Sequence, residues 1–432
     1  MMQMSLADRF FVDAMSTTFR EDPYPHYETY RSQDRLLRVA DTMWFSFGHV
    51  DVTAMLRHPK LSSDERRATT EVGRSEPGRL ATSLLFMDPP DHTRLRSLVA
   101  QVFTPKRMAD LRPTAAAITA KLLDEIAAAG TSGEEVDLIR SLAYPLPVRT
   151  ICSLLGVPEA DERTFTGWSR ALARSLDPSV LRSAELDATI ADAERDLVEY
   201  LGDLLSFRRT TPGDDLLSAL LAVEADGDRI LPKEVVDLAL LLLVAGHETT
   251  VNLIGNAVLA LLRAPDQLDL LRRSPDLVAG AVDELLRFDS PVQMTQRVAT
   301  EDLDLAGYRV RAGDEILLVL GAANRDPSVF AEPNRLNVIR DARRHVAFGG
   351  GSHHCLGASL ARLEGQVALS ALLARFSRLE LAGRPIRRPT FTLRGLESLP
   401  VVVEEAPGNA RALGTAGARC QYLPPARTGG FE

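Results

Sequence analysis

Residues 348–365 read FGGGSHHCLGASLARLEG, with a single cysteine, Cys355, at the seam of the stretch. Ahead of it runs Gly349-Gly350-Gly351; behind it Leu356, Leu360, Leu363 and Val367 recur at helical spacing. A thiol in the first turn of a helix meets unpaired backbone N–H groups and the positive end of the dipole. Both favour thiolate over thiol. The glycines let the backbone pass close to something bulky, because they lack Cβ and accept positive φ. Gly357 removes another side chain where the new helix would press on the same object. The stretch predicts an anionic sulfur with its surroundings cleared, which suits a flat, metal-bearing ligand.

The 432 residues suffice for one large domain or two or three ordinary ones. Hydrophobic residues at 45% against 25% charged match a soluble globular protein. A net charge of −9 gives no overall basic footprint for nucleic acid. Cys152, Cys355 and Cys420 are scattered, make no disulfide framework and fit a reducing cytoplasm. Charges interrupt the N-terminal MMQMSLADRFFVDAMS, so neither signal peptide nor membrane anchor is expected. Leu238 to Leu262 is apolar over the roughly 20 residues a bilayer span needs. His247-Glu248-Thr249-Thr250 sits at its middle with Asn252 and Asn256 behind, so a helix buried in protein is expected instead.

Taken in order, the chain reads as mainly helical. A proline-punctuated helix starts at Asp22, a strand covers Trp44–Val50, and a helix covers His49–Arg57. Residues 62–83 form a long loop. The helix after Met87-Asp88-Pro89-Pro90 carries His92 and Arg96 on one face. Helices follow over Pro113–Ala129 and Tyr144–Leu155, and a pair over 159–209 joins near Asp177-Pro178-Ser179. A long apolar helix covers about Lys233 to Arg263. Acid and hydroxyl groups inside it are costly unless partnered, and Gly246 beside them permits a kink or widening. Glu284 and Arg287 share a face of the next helix. Ser290–Thr300 reads as a strand carrying Arg297, with hairpin-like stretches through Gly307 and Gly313. A last hairpin in 391–403 turns near Leu396–Ser398, and 405–432 reads as a tail with little fixed structure.

Three metal or phosphate readings fail on the residues. A zinc-protease helix beginning at His247-Glu248 needs histidine at 251, which is Val251. His345, His353, His354 and Cys355 are too nearly consecutive to converge as a tetrahedron. The glycine run is followed by Ser-His-His, without the Lys-Ser/Thr of a phosphate loop.

The string Phe348-Gly349-x-Gly351-x-His353-x-Cys355-x-Gly357 resembles, position for position, the haem-binding loop of the cytochrome P-450 monooxygenases. The resemblance covers roughly residues 20–404 and is closest to soluble bacterial members. It implies a mainly α fold with a smaller β-rich part and one haem domain over 1–404. Haem b would lie between the central helix and the helix after the cysteine loop. It further implies Cys355 as iron ligand, with His92, Arg96, Arg297 and His353 holding the haem propionates. Glu248 and Thr249 would deliver protons during dioxygen activation. Glu284, Arg287 and Arg335 would form a structural cluster under the cysteine loop, and Val244, Ala245, Val292 and Leu396 would line the substrate pocket. The loop within 62–83 would border that pocket and the helix pair in 159–209 would form a lid. Electrons would come from NAD(P)H through a separate ferredoxin reductase and ferredoxin, docking near Arg340, Arg343, Arg344 and Arg362. The implied protein is a cytoplasmic monomer without a membrane span. Its implied substrate is a small molecule of the polyketide, macrolide or other secondary-metabolite class, hydroxylated or epoxidised. A haem-thiolate sensor is the rival reading, and Glu248-Thr249 argues against it, since a sensor needs no proton relay.

Overall fold

The computed structural model describes residues 6–70, 82–130, 133–177, 182–225 and 228–407. Residues 71–81 of the long loop, the Pro178-Ser179 junction, and the chain from 408 on, with Cys420, lie outside the described residues.

The helix Pro232–Leu262 forms because an unbroken aliphatic run follows a proline suited to the first helical position. Glu234 accepts a hydrogen bond from the Leu231 backbone N–H at 2.8 Å, which closes its N-terminus. Of its most apolar 18-residue window, 83% is buried inside the protein. That burial identifies it as a core helix, as its central acid and amides predict. Its C-terminal half packs in one core with Arg112–Gly130, Val278–Phe288 and Ala358–Arg375. Its N-terminal half packs in a second core with Pro145–Leu155, Glu162–Ala173 and Ala184–Thr210. The widening allowed by Gly246 is absent, and the α-helix runs unbroken. Thr249 and Thr250 instead bond back to the carbonyls of Ala245 and Gly246, so the hydroxyls are satisfied within the helix. The local widening lies elsewhere, in a π-turn at Ile139–Ala143 packed in the same core.

The β-rich part is a five-stranded sheet in the order Leu37–Ala40, Met43–Ser46, Glu315–Leu318, Thr295–Ala299, Leu61–Ser62. Only the Met43/Glu315 pair is parallel; Ile316 stands opposite both Trp44 and Arg297. Leu303–Leu305 and Tyr308–Val310 form the expected hairpin, with Ala306 and Gly307 both at positive φ in its turn. The stretch through Gly313 is not a hairpin. Its outgoing strand pairs with Thr295–Ala299, because the intervening hairpin stands out from the sheet.

The last expected hairpin is also corrected. Leu396–Ser398 pairs with Ile386–Arg387, whereas Pro400–Glu405 pairs with Phe376–Leu381 and Val136–Asp137. The two halves separate because Asp137 takes the Leu399 N–H at 3.0 Å, turning the chain toward a different partner. Residues 386–398 are tied down at buried Asp289, which accepts bonds from Arg394 (2.6 Å), Arg387 (2.9 Å) and Tyr24 (2.8 Å). Burial pushes the Asp289 carboxyl up, but the two guanidiniums outweigh it and hold it well below the usual range.

Candidate active site

Cys355 lies just ahead of the helix Ala358–Arg375 rather than in its first turn, with a 3₁₀ turn at Gly351–His353 before it. Its backbone N–H donates to the Phe348 carbonyl at 2.9 Å, which folds the glycine run back on itself. Gly351 is at φ +67°, and a Cβ there would come within 2.5 Å of the Leu56 carbonyl oxygen. No larger residue fits. A Cβ on Gly357, by contrast, would meet no protein atom within 4 Å, so this glycine borders open space beside the sulfur.

A helix terminus alone does not ionise this thiol. Cys355 is reachable by solvent, yet protein surrounds it closely enough that burial pushes the thiol up. The Gly357 N–H, Arg96 and Arg362 pull it partly back. Full ionisation needs a stronger charge, such as a bound metal ion.

Beside the sulfur, four cationic or imidazole side chains converge. The His92 and His353 rings lie against each other, tilted by 34° with centroids 4.1 Å apart. Both ring nitrogens of His92 are buried without a hydrogen-bond partner. Arg297, 5% exposed, donates only to the Gln296 carbonyl (2.7 Å) and the Thr295 hydroxyl (3.4 Å). Arg96 donates to the His354 carbonyl. Among the described residues no carboxylate bonds to any of the four; nearby Asp88 is engaged by Ser62, Ser63 and Arg67. Burial therefore pushes Arg297 down to about 10. Burial, with His92, Arg297 and Arg96, pushes His353 down to about 3. With no carboxylate among the described residues bonded to it and only Asp88 nearby, such a cluster fits a ligand bringing carboxylates, as haem propionates do. The thiol, the open space at Gly357 and this cluster together match the donor set haem requires.

Across the site, Thr249 Oγ1 bonds to the Ala245 carbonyl at 2.8 Å. Glu248 is buried and pairs with Arg388; His247 Nε2 and the Tyr144 hydroxyl each lie 3.5 Å from its Oε1. Burial pushes its carboxyl up, but His247 and Arg388 overcome this and hold it at about 2. Val244, Ala245 and Val292 gather in one apolar cluster, and Val292 bridges to Leu393. Leu396 is not among them. It packs into the other core above Gly255, because the backbone at Gly395 presses against Asn252 and carries residue 396 past that turn. Leu393 takes the place expected of it.

Beneath the cysteine loop, Glu284 and Arg287 are both fully buried and joined by two bonds of 2.6 and 2.8 Å. Arg287 also donates to the Asn324 and Pro333 carbonyls, each at 2.9 Å. Arg335 is not the third member. Its side chain is 68% exposed and reaches only Glu332, while Arg340 pairs with Glu284 at 3.1 Å. Arg335 sits before a turn that swings it into solvent, and Arg340, placed after the turn, points back. Sequence reasoning also missed Asp283, which holds His345 (3.2 Å) and Arg362 (2.7 Å) on the two flanks of the cysteine loop. Arg340 and Arg362 are thus committed internally, leaving Arg343 and Arg344 exposed.

The cytochrome P450 family profile matches residues 42–396. The vitamin D(3) 25-hydroxylase of Pseudonocardia autotrophica is 44% identical over 400 residues, covering 90% of this chain and 96% of that protein. The 6-deoxyerythronolide B hydroxylase of Saccharopolyspora erythraea is 40% identical over 406 residues, covering 90% and 98%. The Bacillus subtilis bacillaene polyketide synthase cytochrome P450 PksS is 37% identical with a TM-score of 0.83, covering 91% of this chain and 99% of that structure. The chain belongs to the cytochrome P450 family. It is a monooxygenase whose class works with a haem-thiolate iron, separate redox partners and a small-molecule substrate.

Proposed function

We propose that this monooxygenase hydroxylates a small, largely apolar secondary metabolite of the polyketide or macrolide class. The observation that carries the haem assignment is the cluster of His92, Arg96, Arg297 and His353 beside Cys355, to which no carboxylate among the described residues bonds. In this reading Cys355 would hold the iron of haem b, which would supply dioxygen activation and oxygen transfer. The four cationic or imidazole groups would hold its propionates. Val244, Ala245, Val292 and Leu393 provide the apolar wall that positions substrate and keeps water out. Thr249 and Glu248 move protons into the site. The substrate class rests on the relatives named above, the macrolactone hydroxylase and the polyketide-synthase P450. Spectral titration of the ferric holoprotein with 6-deoxyerythronolide B, vitamin D3 and a macrolactone series tests it. Macrolactones should shift the spectrum and yield oxygenated products on turnover. Shifts without any product would favour a ligand-binding haem-thiolate protein.

Thr249→Ala should retain haem and substrate affinity while product per reducing equivalent falls, by up to roughly 10²-fold, with electrons diverted to peroxide. Coupling equal to the parent's would remove Thr249 from proton delivery.

Electrons are read as coming from NAD(P)H through ferredoxin reductase and an acidic ferredoxin, in the cytoplasm. Arg343, its side chain 82% exposed and paired with the exposed Asp341 at 2.7 Å, and Arg344 are exposed cations near the thiolate side. Arg343→Glu combined with Arg344→Glu should slow reduction by ferredoxin, and the parent's rate should fall as salt rises. Equal rates, indifferent to salt, would move the docking surface elsewhere.

A further inference from the structure

A cavity of about 220 Å³ opens where the short helix Thr17–Glu21, the end of the helix Glu162–Ala173 and the 387–395 segment meet. Among the described residues it is lined by five guanidiniums, of Arg20, Arg174, Arg387, Arg388 and Arg394, and one carboxylate, Asp177. Two more carboxylates lie behind the wall. Asp289 is shared by Arg387 and Arg394, both 8% exposed, and Glu248 is paired with Arg388. Glu397, 3.7 Å from Arg388, is already taken by Arg170. Asp177 accepts from Arg174 at 3.4 Å, while its other oxygen takes the Phe391 and Thr392 N–H groups, each at 2.9 Å. Five cations therefore meet three carboxylates, which leaves two positive charges unbalanced. Arg20 is exposed, and among the described residues no carboxylate pairs with it. Its neighbours Glu21 and Asp22 are engaged with Arg384 and the Tyr24 N–H. Buried Arg325 adds to the excess beneath the floor, since it bonds to the Phe288 carbonyl and Asn334 rather than to an acid. Cations gathered in this way without matching anions are costly.

We propose that this cavity is a binding site for a small organic dianion, a phosphate monoester or a dicarboxylate carried on a flat apolar body. It shares no residue with the cluster beside Cys355, and it does not depend on the substrate class proposed above. The acidic group meets Arg20 and Arg174, the least committed of the five guanidiniums. Arg387 and Arg394 stand behind them as fixed positive charge. The apolar body lies along Phe19 and Phe391, which line the same cavity with centroids 6.2 Å apart and planes within 13° of parallel. Charge decides between acids. A phosphate monoester carries about −1.5 to −2 at neutral pH, which matches the two unbalanced guanidiniums. A monocarboxylate leaves one of them unpaired.

Calorimetric titration of the haem-loaded protein tests this, because the cluster of His92, Arg96, Arg297 and His353 is then no longer open to added anions. The probes are phenyl phosphate, phenylsuccinate, benzoate and inorganic phosphate. At least one of the two aromatic dianions should bind once per chain, and whichever binds tighter tells a phosphate ester from a dicarboxylate. Benzoate, short of one charge, and inorganic phosphate, short of the ring, should each bind roughly tenfold more weakly or worse. Arg20→Ala should cost roughly tenfold in affinity, and Arg20→Ala with Arg174→Ala roughly 10²-fold. Arg20 is exposed with no acid partner, so its single variant should fold like the parent even if the double one does not. Arg195→Ala, an exposed cation on the helix Ala184–Thr210, should bind like the parent. Hydrogen–deuterium exchange with the bound dianion should slow in residues 17–24 and 388–395. Absence of binding by both dianions at millimolar concentration overturns the site. So does parent-like affinity in Arg20→Ala, benzoate binding as tightly as the dianions, or slowed exchange confined to other segments.

Discussion

Cys355→Ser should abolish the strongly red-shifted Soret band that the reduced parent gives with carbon monoxide, and with it all monooxygenase turnover. Serine keeps the size and the backbone of the loop, so the bond from residue 355 N–H to the Phe348 carbonyl and the fold of the glycine run should survive. What is lost is the sulfur that a haem iron would hold as thiolate. Among the described residues the one other cysteine, Cys152, is not placed to substitute. Cys152 is buried in the second helical core, where burial and the nearby Glu162 and Asp161 push its thiol up to about 12. An unchanged thiolate spectrum in Cys355→Ser would remove Cys355 from the iron and refute the assignment of the whole recess.

The other large effect is on stability. Arg287→Ala removes both bonds that pair it with Glu284 and leaves that fully buried carboxylate only Arg340 and the Asn337 N–H on one oxygen. It also strands the Asn324 and Pro333 carbonyls. Breaking a buried pair in this way costs roughly 3–5 kcal/mol, a large part of the about 5–15 kcal/mol that holds a domain together. Urea unfolding of the purified variant should show a midpoint far below the parent's, with haem content reduced. Arg335→Ala should unfold like the parent, and Arg340→Ala should fall between. Indistinguishable midpoints for Arg287→Ala and the parent would show that the cluster is not structural.

The contrast between Arg335 and Arg340 shows what sequence could and could not carry. The cysteine loop and the central helix were legible because each is local: glycines that must turn, and an aliphatic run with polar groups at its centre. His92, Arg96, Arg297 and His353 were legible as a group only through resemblance, since their meeting depends on three separate segments. Arg340 and Leu393 were missed because a short turn decides which neighbour points inward, and that turn is set by backbone contacts such as Gly395 against Asn252. The split of the expected last hairpin has the same origin, in Asp137 from far upstream. Arg388 carries no signal at all, being 140 residues from the glutamate it holds. Ion pairs between distant segments leave no periodicity to read.

Asp283 and Glu284 are neighbours in the chain, yet a helix turns each by about 100° from the next, so they serve different structures. Glu284 reaches into the arginine cluster, while Asp283 holds His345 ahead of the cysteine loop and Arg362 behind it. Clamped at both ends from one rigid helix, the loop has little room to relax when the charge beside it changes. A change of charge at the sulfur would therefore meet surroundings held in place by an aspartate that lies on another helix.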